Sequence, residues 1–200
     1  WHFVWLKPYS VTPAELQARY AYKEQLTPGG AHAVDLAWLS TQHAHAPGAL
    51  VLPKAAHLST LAAVAQLARP GSPLLPLIES AAGWGAVDAL AAAPQVLRLV
   101  FGHLDFQLDL GMQCGPEERE LDSVRLAFVS ASRRAGLPGP VDGVTVNLQD
   151  ATRLEQDARR SRGFGFTGKL CIHPNQIETV NLSLGPTPTQ VDWAQRLLAA

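Results

Sequence analysis

The sequence predicts an α/β fold with a parallel sheet, and three observations carry that prediction. Short apolar runs, near residues 49–52, 74–78, 96–101, 142–148 and 169–172, alternate with helix-length segments. Two of the runs, those ending at Ile78 and at Phe101, are apolar enough to read as parallel strands buried on both faces. Both are followed at once by an acid: Glu79 directly after Ile78, and Asp105 just past Gly102. Five β-then-α units in succession fit either a (β/α)8 barrel or a doubly wound sheet. Both architectures bind ligands at the C-terminal ends of their strands.

Residues 1–33 hold the least regular pattern. Trp1 to Leu6 reads as a strand, Ala14 to Leu26 as a helix, and Thr27-Pro28-Gly29-Gly30 as a loop. This stretch supplies one or two further strands, not three full units, and barrels typically take about 250 residues. We therefore expect barrel segments beyond those the chain shows, and breaks in the backbone within 1–33. From Val34 the rhythm is regular. Asp35 caps a helix running to about His45, and Ala49 to Leu52 is a strand ending at Pro53-Lys54. Leu58 to Ala68 is helical, and Pro70-Gly71-Ser72-Pro73 turns the chain into the Glu79 strand.

Trp84 to Ala93 is an Ala-rich helix, and a loop at Asp109-Leu110-Gly111 leads to a long helix from about Glu117 to Ala135. That helix has its acids first, Arg133 and Arg134 last, and Gly136 beyond them as a C-cap. Asp150 caps a helix from Ala151 to Ser161, another covers Gln176 to Leu182, and Thr189 starts a last one whose apolar side includes Val191, Ala194, Leu197 and Leu198. The run Gly163 to Lys169 imitates a phosphate-binding loop, but Leu170 stands where Ser or Thr is required and the run precedes a strand. It reads as a turn.

Composition narrows the function. With 200 residues, 47% of them hydrophobic, the chain forms one substantial core and a single domain over 1–200. A net charge of −1 offers no basic field for nucleic acid or a membrane surface, so the partner is a small molecule or another protein chain. No apolar run reaches the roughly 18 residues of a membrane span. Cys114 and Cys171 stand in unrelated contexts without a CxxC pair, which suits reduced thiols in the cytoplasm.

Neighbouring strands lie about 5 Å apart, so Glu79 and Asp105, if their strands are adjacent, reach one small cation together. Two carboxylates without a cysteine or histidine cluster suit Mg2+ better than zinc, since Mg2+ takes oxygen ligands and keeps several waters. The competing reading makes both acids caps of the following helices. Lys54 ends a strand and either neutralises the site or a substrate carboxylate, or makes a loop salt bridge. Asp109 reads as a turn residue and His173 as a structural histidine beside Pro174. His43 and His45 face different ways on a helix and are assigned no metal.

The blocks PLIESAAG, FGHLDFQLDLG, VDGVTVNLQD and GFGFTGKLCIHPNQI, with LPK at Leu52 to Lys54, resemble in order and spacing the citrate lyase β-subunit, malyl-CoA lyase and HpcH/HpaI aldolase superfamily. The resemblance spans about Asp35 to Ala200. It implies a TIM (β/α)8 barrel whose fourth to eighth strands are the five named above, a Mg2+ ion held by Glu79 and Asp105, and a carbon–carbon bond cleaved or formed next to a CoA thioester. It also implies a homo-oligomer, a trimer or hexamer. In such a site the backbone N–H groups of Gly102, His103 and Leu104 bind the carboxylate of a 2-oxo acid. The superfamily's opening blocks, including a VRxN-like segment with a substrate-gripping arginine, are not readable here, and Arg19 sits in a helical pattern instead. The superfamily's C-terminal lid falls at or past Ala200, and no residue stands out as general acid or base. The expected activity is a lyase acting on a citryl-CoA or malyl-CoA type thioester. The alternatives are an aldolase of free 2-oxo acids such as pyruvate, and a non-catalytic acyl-CoA-binding relative.

Overall fold

The computed structural model describes residues 49–67 and 70–199. The expected helix from Asp35 to about His45 and everything expected of residues 1–33, chain breaks included, lie outside the described residues. Five strands form one sheet in the order of the chain, β1 (Leu50–Leu52), β2 (Leu74–Ile78), β3 (Val100–Phe101), β4 (Val141–Asp142) and β5 (Gly168–Lys169), and every pairing is parallel. The intervening helices are α1 (Leu58–Leu67), α2 (Ala81–Gly85), α3 (Val87–Ala91), α4 (His103–Asp109), α5 (Asp122–Arg134) and α6 (Ala151–Phe164), followed by α7 (Gln176–Leu184) and α8 (Pro188–Leu198). Sequential parallel strands, each followed by helix, are the units of a TIM barrel.

The two faces of the sheet bury different residues because side chains alternate along a strand. Leu75, Val100 and Val141, with Leu77 and Leu170 against them, form a separate small cluster on the barrel's inner side. Leu74, Ile78, Leu99 and Phe101 face the helices in the main core. There Phe101 is the hub, with ring centroids 4.8 Å from Phe128 of α5 and 5.5 Å from Phe106 of α4. These contacts clamp β3 between the helices that precede and follow it in space.

Most elements begin and end where their residues dictate. The Asp150 side chain accepts the Arg153 N–H at 2.8 Å, and Gly165 closes α6 in the left-handed conformation at φ 106°, so the imitation phosphate loop is a helix end running into β5. The last helix starts at Pro188 behind a Thr187 capping box, two residues before the Thr189 expected from sequence. Its apolar side chains Val191, Leu197 and Leu198 are exposed among the described residues. The single helix expected over 84–93 is split, because Ala86 leaves helical geometry between α2 and α3. The long helix expected from Glu117 begins instead with a 3-10 turn at Arg119–Leu121, since Glu118 is left-handed at φ 47°. No helix among the described residues is long and apolar enough to cross a membrane.

Truncating the aromatic hub should be costly. Phe128→Ala removes a fully buried ring that touches Phe101, and we expect a loss of about 3–5 kcal/mol in urea unfolding, whereas Leu108→Ala, at an 80% exposed position, should stay within about 0.5 kcal/mol of the parent.

Candidate active site

The site is built where β2 and β3 end. Their register pairs Leu77 with Val100 and Ile78 with Phe101, so the next residues in line are Glu79 and Gly102. Glu79 follows the alternation of Leu75 and Leu77 toward the inner side and is 6% exposed. The Lys54 N–H, just past β1, donates to its Oε1 at 2.8 Å, and the Ala55 N–H holds the same turn to Leu77 O at 3.0 Å. Lys54 adopts φ 51°, a left-handed backbone that turns its N–H toward Glu79. Its side chain is exposed.

Gly102 is required by the carboxylate beside it. A Cβ built there would fall 2.7 Å from Glu79 Cβ and 2.8 Å from Glu79 Oε2. Asp105 lies in the first turn of α4 rather than in a loop, close enough for its carboxyl to act on that of Glu79. Burial pushes the Glu79 carboxyl up, the Lys54 N–H opposes this, and the facing Asp105 raises it further, from the ordinary 4.5 to about 7. The structure therefore brings together the two acids singled out in the sequence.

The other candidates separate. The Gly102 N–H is committed to Ile78 O at 3.0 Å, which corrects the expectation that it faces a ligand. The sheet takes that donor, and of the three expected amides those of His103 and Leu104 begin α4, where no carbonyl four residues earlier belongs to the helix. Asp109, expected in a loop, is instead the last residue of α4, and it accepts the Ala81 N–H at the start of α2 at 2.8 Å. His173 is exposed, and its Nδ1 accepts the Asn175 N–H at 3.2 Å. A cavity of about 550 Å³ lined by Leu58, Leu61, Ala65, Ala89, Ala93 and Pro94 is apolar and shares no residue with this site. Among the described residues no group of three or more His, Cys, Asp and Glu side chains is placed to hold a metal ion.

Behind the site lies a buried ionic cluster that sequence reasoning missed. The His103 imidazole is 5% exposed and sits with Nε2 3.4 Å from Glu118 Oε1. Glu118 Oε2 takes Arg160 of α6 at 2.9 Å and Arg125 of α5, and the same two arginines donate to the carbonyls of Glu117 and Glu118. Burial alone would raise the Glu118 carboxyl, but His103 and Arg125 hold it at about 2. Gly143 is fixed at both ends, its N–H by Asp142 Oδ1 at 2.9 Å and its carbonyl by Lys169 Nζ at 2.7 Å. Asp142 also accepts the Ser161 hydroxyl, while Asp157 accepts that of Thr145 at 2.7 Å. These residues are scattered from 103 to 169 on five elements, so no local spacing announces them.

Comparison with known proteins gives the chain's relatives. Residues 30–174 match the family described as HpcH/HpaI aldolase/citrate lyase. The chain is 33% identical over 152 residues to a (3S)-malyl-CoA thioesterase of Cereibacter sphaeroides, covering 76% of this chain and 53% of that protein. It is 34% identical over 136 residues to the human mitochondrial citramalyl-CoA lyase, covering 64% of this chain and 40% of the relative. The chain thus spans about half the length, or less, of these curated relatives. Among solved structures it is similar to CitE from Mycobacterium tuberculosis in complex with magnesium, acetoacetate and coenzyme A, with a TM-score of 0.73 and 26% identity over 94% of this chain and 74% of that one.

The opposed acids carry a pH signature. Glu79 binds its proton more tightly folded than unfolded, so between about pH 4.5 and 7 the folded state holds the extra proton and stability falls as pH rises through that window. In cation-free buffer Glu79→Gln should raise the urea midpoint at pH 8 and leave it nearly unchanged at pH 5. An unmoved midpoint at pH 8 would show that the facing carboxylates cost nothing.

Proposed function

The chain belongs to the HpcH/HpaI aldolase/citrate lyase family, and from that premise we propose that it is a Mg2+-dependent carbon–carbon lyase acting on a 3-hydroxyacyl-CoA thioester of the citryl-CoA or malyl-CoA type. The observation that carries the reading is the pair Glu79 and Asp105, near enough for one carboxyl to raise the other, beside a residue with no side chain at the C-terminal ends of β2 and β3.

The residues fit a magnesium ion. Two carboxylates that repel each other strongly enough to help hold one of them protonated near neutrality are a pair that a divalent cation would relieve. Both offer oxygen, the donor Mg2+ prefers, and Gly102 leaves room where any other side chain would fill the space against Glu79 Oε2. The similar CitE structure contains magnesium. When bound, the ion supplies Lewis-acid polarisation of a 2-oxo oxygen and a template for the substrate.

The chain's own residues do the rest. Lys54 fixes Glu79 Oε1 through its backbone, which keeps that carboxylate from rotating away from Asp105. The amides of His103 and Leu104, at the positive end of α4, receive the carboxylate of the 2-oxo acid. The Lys54 ammonium, exposed on the adjacent loop, balances the negative charge that substrate and acids bring together. In the cleavage direction the substrate hydroxyl loses its proton and its carbon becomes the 2-oxo group. The bonding pair passes to the carbon next to the thioester as an enolate, whose protonation gives acetyl-CoA or a homologue. The unpaired thiols of Cys114 and Cys171 suit a cytoplasmic setting.

One observation favours a second reading. The Cereibacter relative is a thioesterase, which points to hydrolysis of the thioester in place of carbon–carbon cleavage.

Product analysis separates the two. With malyl-CoA or citryl-CoA and Mg2+, we expect acetyl-CoA and a 2-oxo acid, with turnover abolished by EDTA and lowered more than about 10²-fold by Glu79→Gln. Free CoA with the intact hydroxy acid would establish the thioesterase, and no turnover of either thioester would overturn both readings.

A further inference from the structure

Asp105 is one half of the acid pair, yet it stands exposed on a seven-residue helix, and Glu79 alone is walled in. Something else must set where α4 begins. His103 is the first residue of that helix, two positions before Asp105, and its side chain is buried in the outer layer, where the Asp105 carboxyl is not. The imidazole occupies a slot closed on three sides. The Phe101 ring lies on one side with centroids 6.2 Å apart, and Glu118 meets Nε2. On the third side is Gly143, where a Cβ would come within 1.9 Å of Nδ1.

None of the three walls moves freely. Phe101 is locked among Phe106 and Phe128. Glu118 is held by Arg125 of α5 and Arg160 of α6 in a left-handed backbone conformation that few residues other than glycine adopt without such support. Gly143 is pinned by Asp142 from β4 and Lys169 from β5. A ring that fits this slot fixes the backbone that carries it.

Resting on the metal reading above, we propose that His103 is a positioning residue for the metal centre: by filling the slot between Phe101 and Gly143 and by meeting Glu118 through Nε2 it sets the first turn of α4 and so holds Asp105 near Glu79. It neither donates to the ion nor touches substrate through its side chain. Its effect on the centre passes through the helix start. Residues that orient ligands in this way typically carry 10- to 100-fold of metal affinity.

The test measures Mg2+ binding by calorimetry on the full chain, alongside thermal unfolding. His103→Leu, similar in bulk but without a donor for Glu118, should bind Mg2+ roughly 10- to 100-fold more weakly at a temperature where it remains folded. His103→Gln, which keeps a donor, should recover most of that affinity. Gly143→Ala leaves every ionic partner in place but drives the ring from its slot, and should reproduce the His103→Leu defect. It carries the comparison if His103→Leu does not fold. Wild-type affinity in His103→Leu or Gly143→Ala, with only the melting temperature lowered, would make His103 a purely structural residue and overturn the inference alone. A parent chain that binds no Mg2+ would overturn the metal reading and this inference with it.

Discussion

Two acidic side chains held side by side are the constraint from which the site follows. The β2–β3 register makes Glu79 and Gly102 neighbours, and the step from Gly102 into α4 brings Asp105 across from Glu79. Burial and mutual repulsion make that juxtaposition unfavourable by itself. It persists because each partner is held from behind, Glu79 by the Lys54 N–H and α4 by its packing through Phe106 and His103. Carboxyls perturbed in this way cluster at functional sites, and they cost stability that the core must offset.

The core does so with apolar surface on one side and ions on the other. The sheet's contact with α3 and α5 is aliphatic and aromatic, non-directional and strongly stabilising. Toward α5 and α6, near the strand ends, the same interface is charged: Arg125, Asp142, Asp157, Arg160 and Lys169 are buried or nearly so. Buried ion pairs contribute little net stability compared with apolar contacts, since desolvation consumes most of the Coulombic gain. They are directional, however. Here they fix the start of α5 and the β4 loop in one arrangement, which greasy packing would leave free to slide.

The fold was legible from the sequence because its signal is repetitive. LLPLI gives β2 its observed bounds, 74–78, since a strand buried on both faces must be apolar throughout. The strands expected at 96–101, 142–148 and 169–172 were too long, because apolar residues continue past the last ladder bond: Val96 makes only an isolated bridge to Leu74, and Val146 and Leu148 are exposed. Helix starts failed where tertiary charge decided them, as at Glu118, which is held by Arg125 two turns ahead and by Arg160, 42 residues on. Glu79 and Asp105 could be read because each follows an apolar run. His103 and Glu118 could not, because their pairing exists only after β3 and α5 have packed.

The glycines of the site differ in how they bind the chain's future. At Gly102 the conflicting atoms are the Cβ and a carboxylate oxygen of Glu79, so as long as residue 79 carries the acid there is no room for a side chain at 102. At Gly143 the conflict is with ring atoms of His103 that a shorter residue would lack. Divergence at the second position is therefore open, but only in one order: the histidine must shrink before the glycine can grow. Lineages of this chain should keep the first glycine for as long as they keep the acid at 79, and lose the second only in step with the histidine.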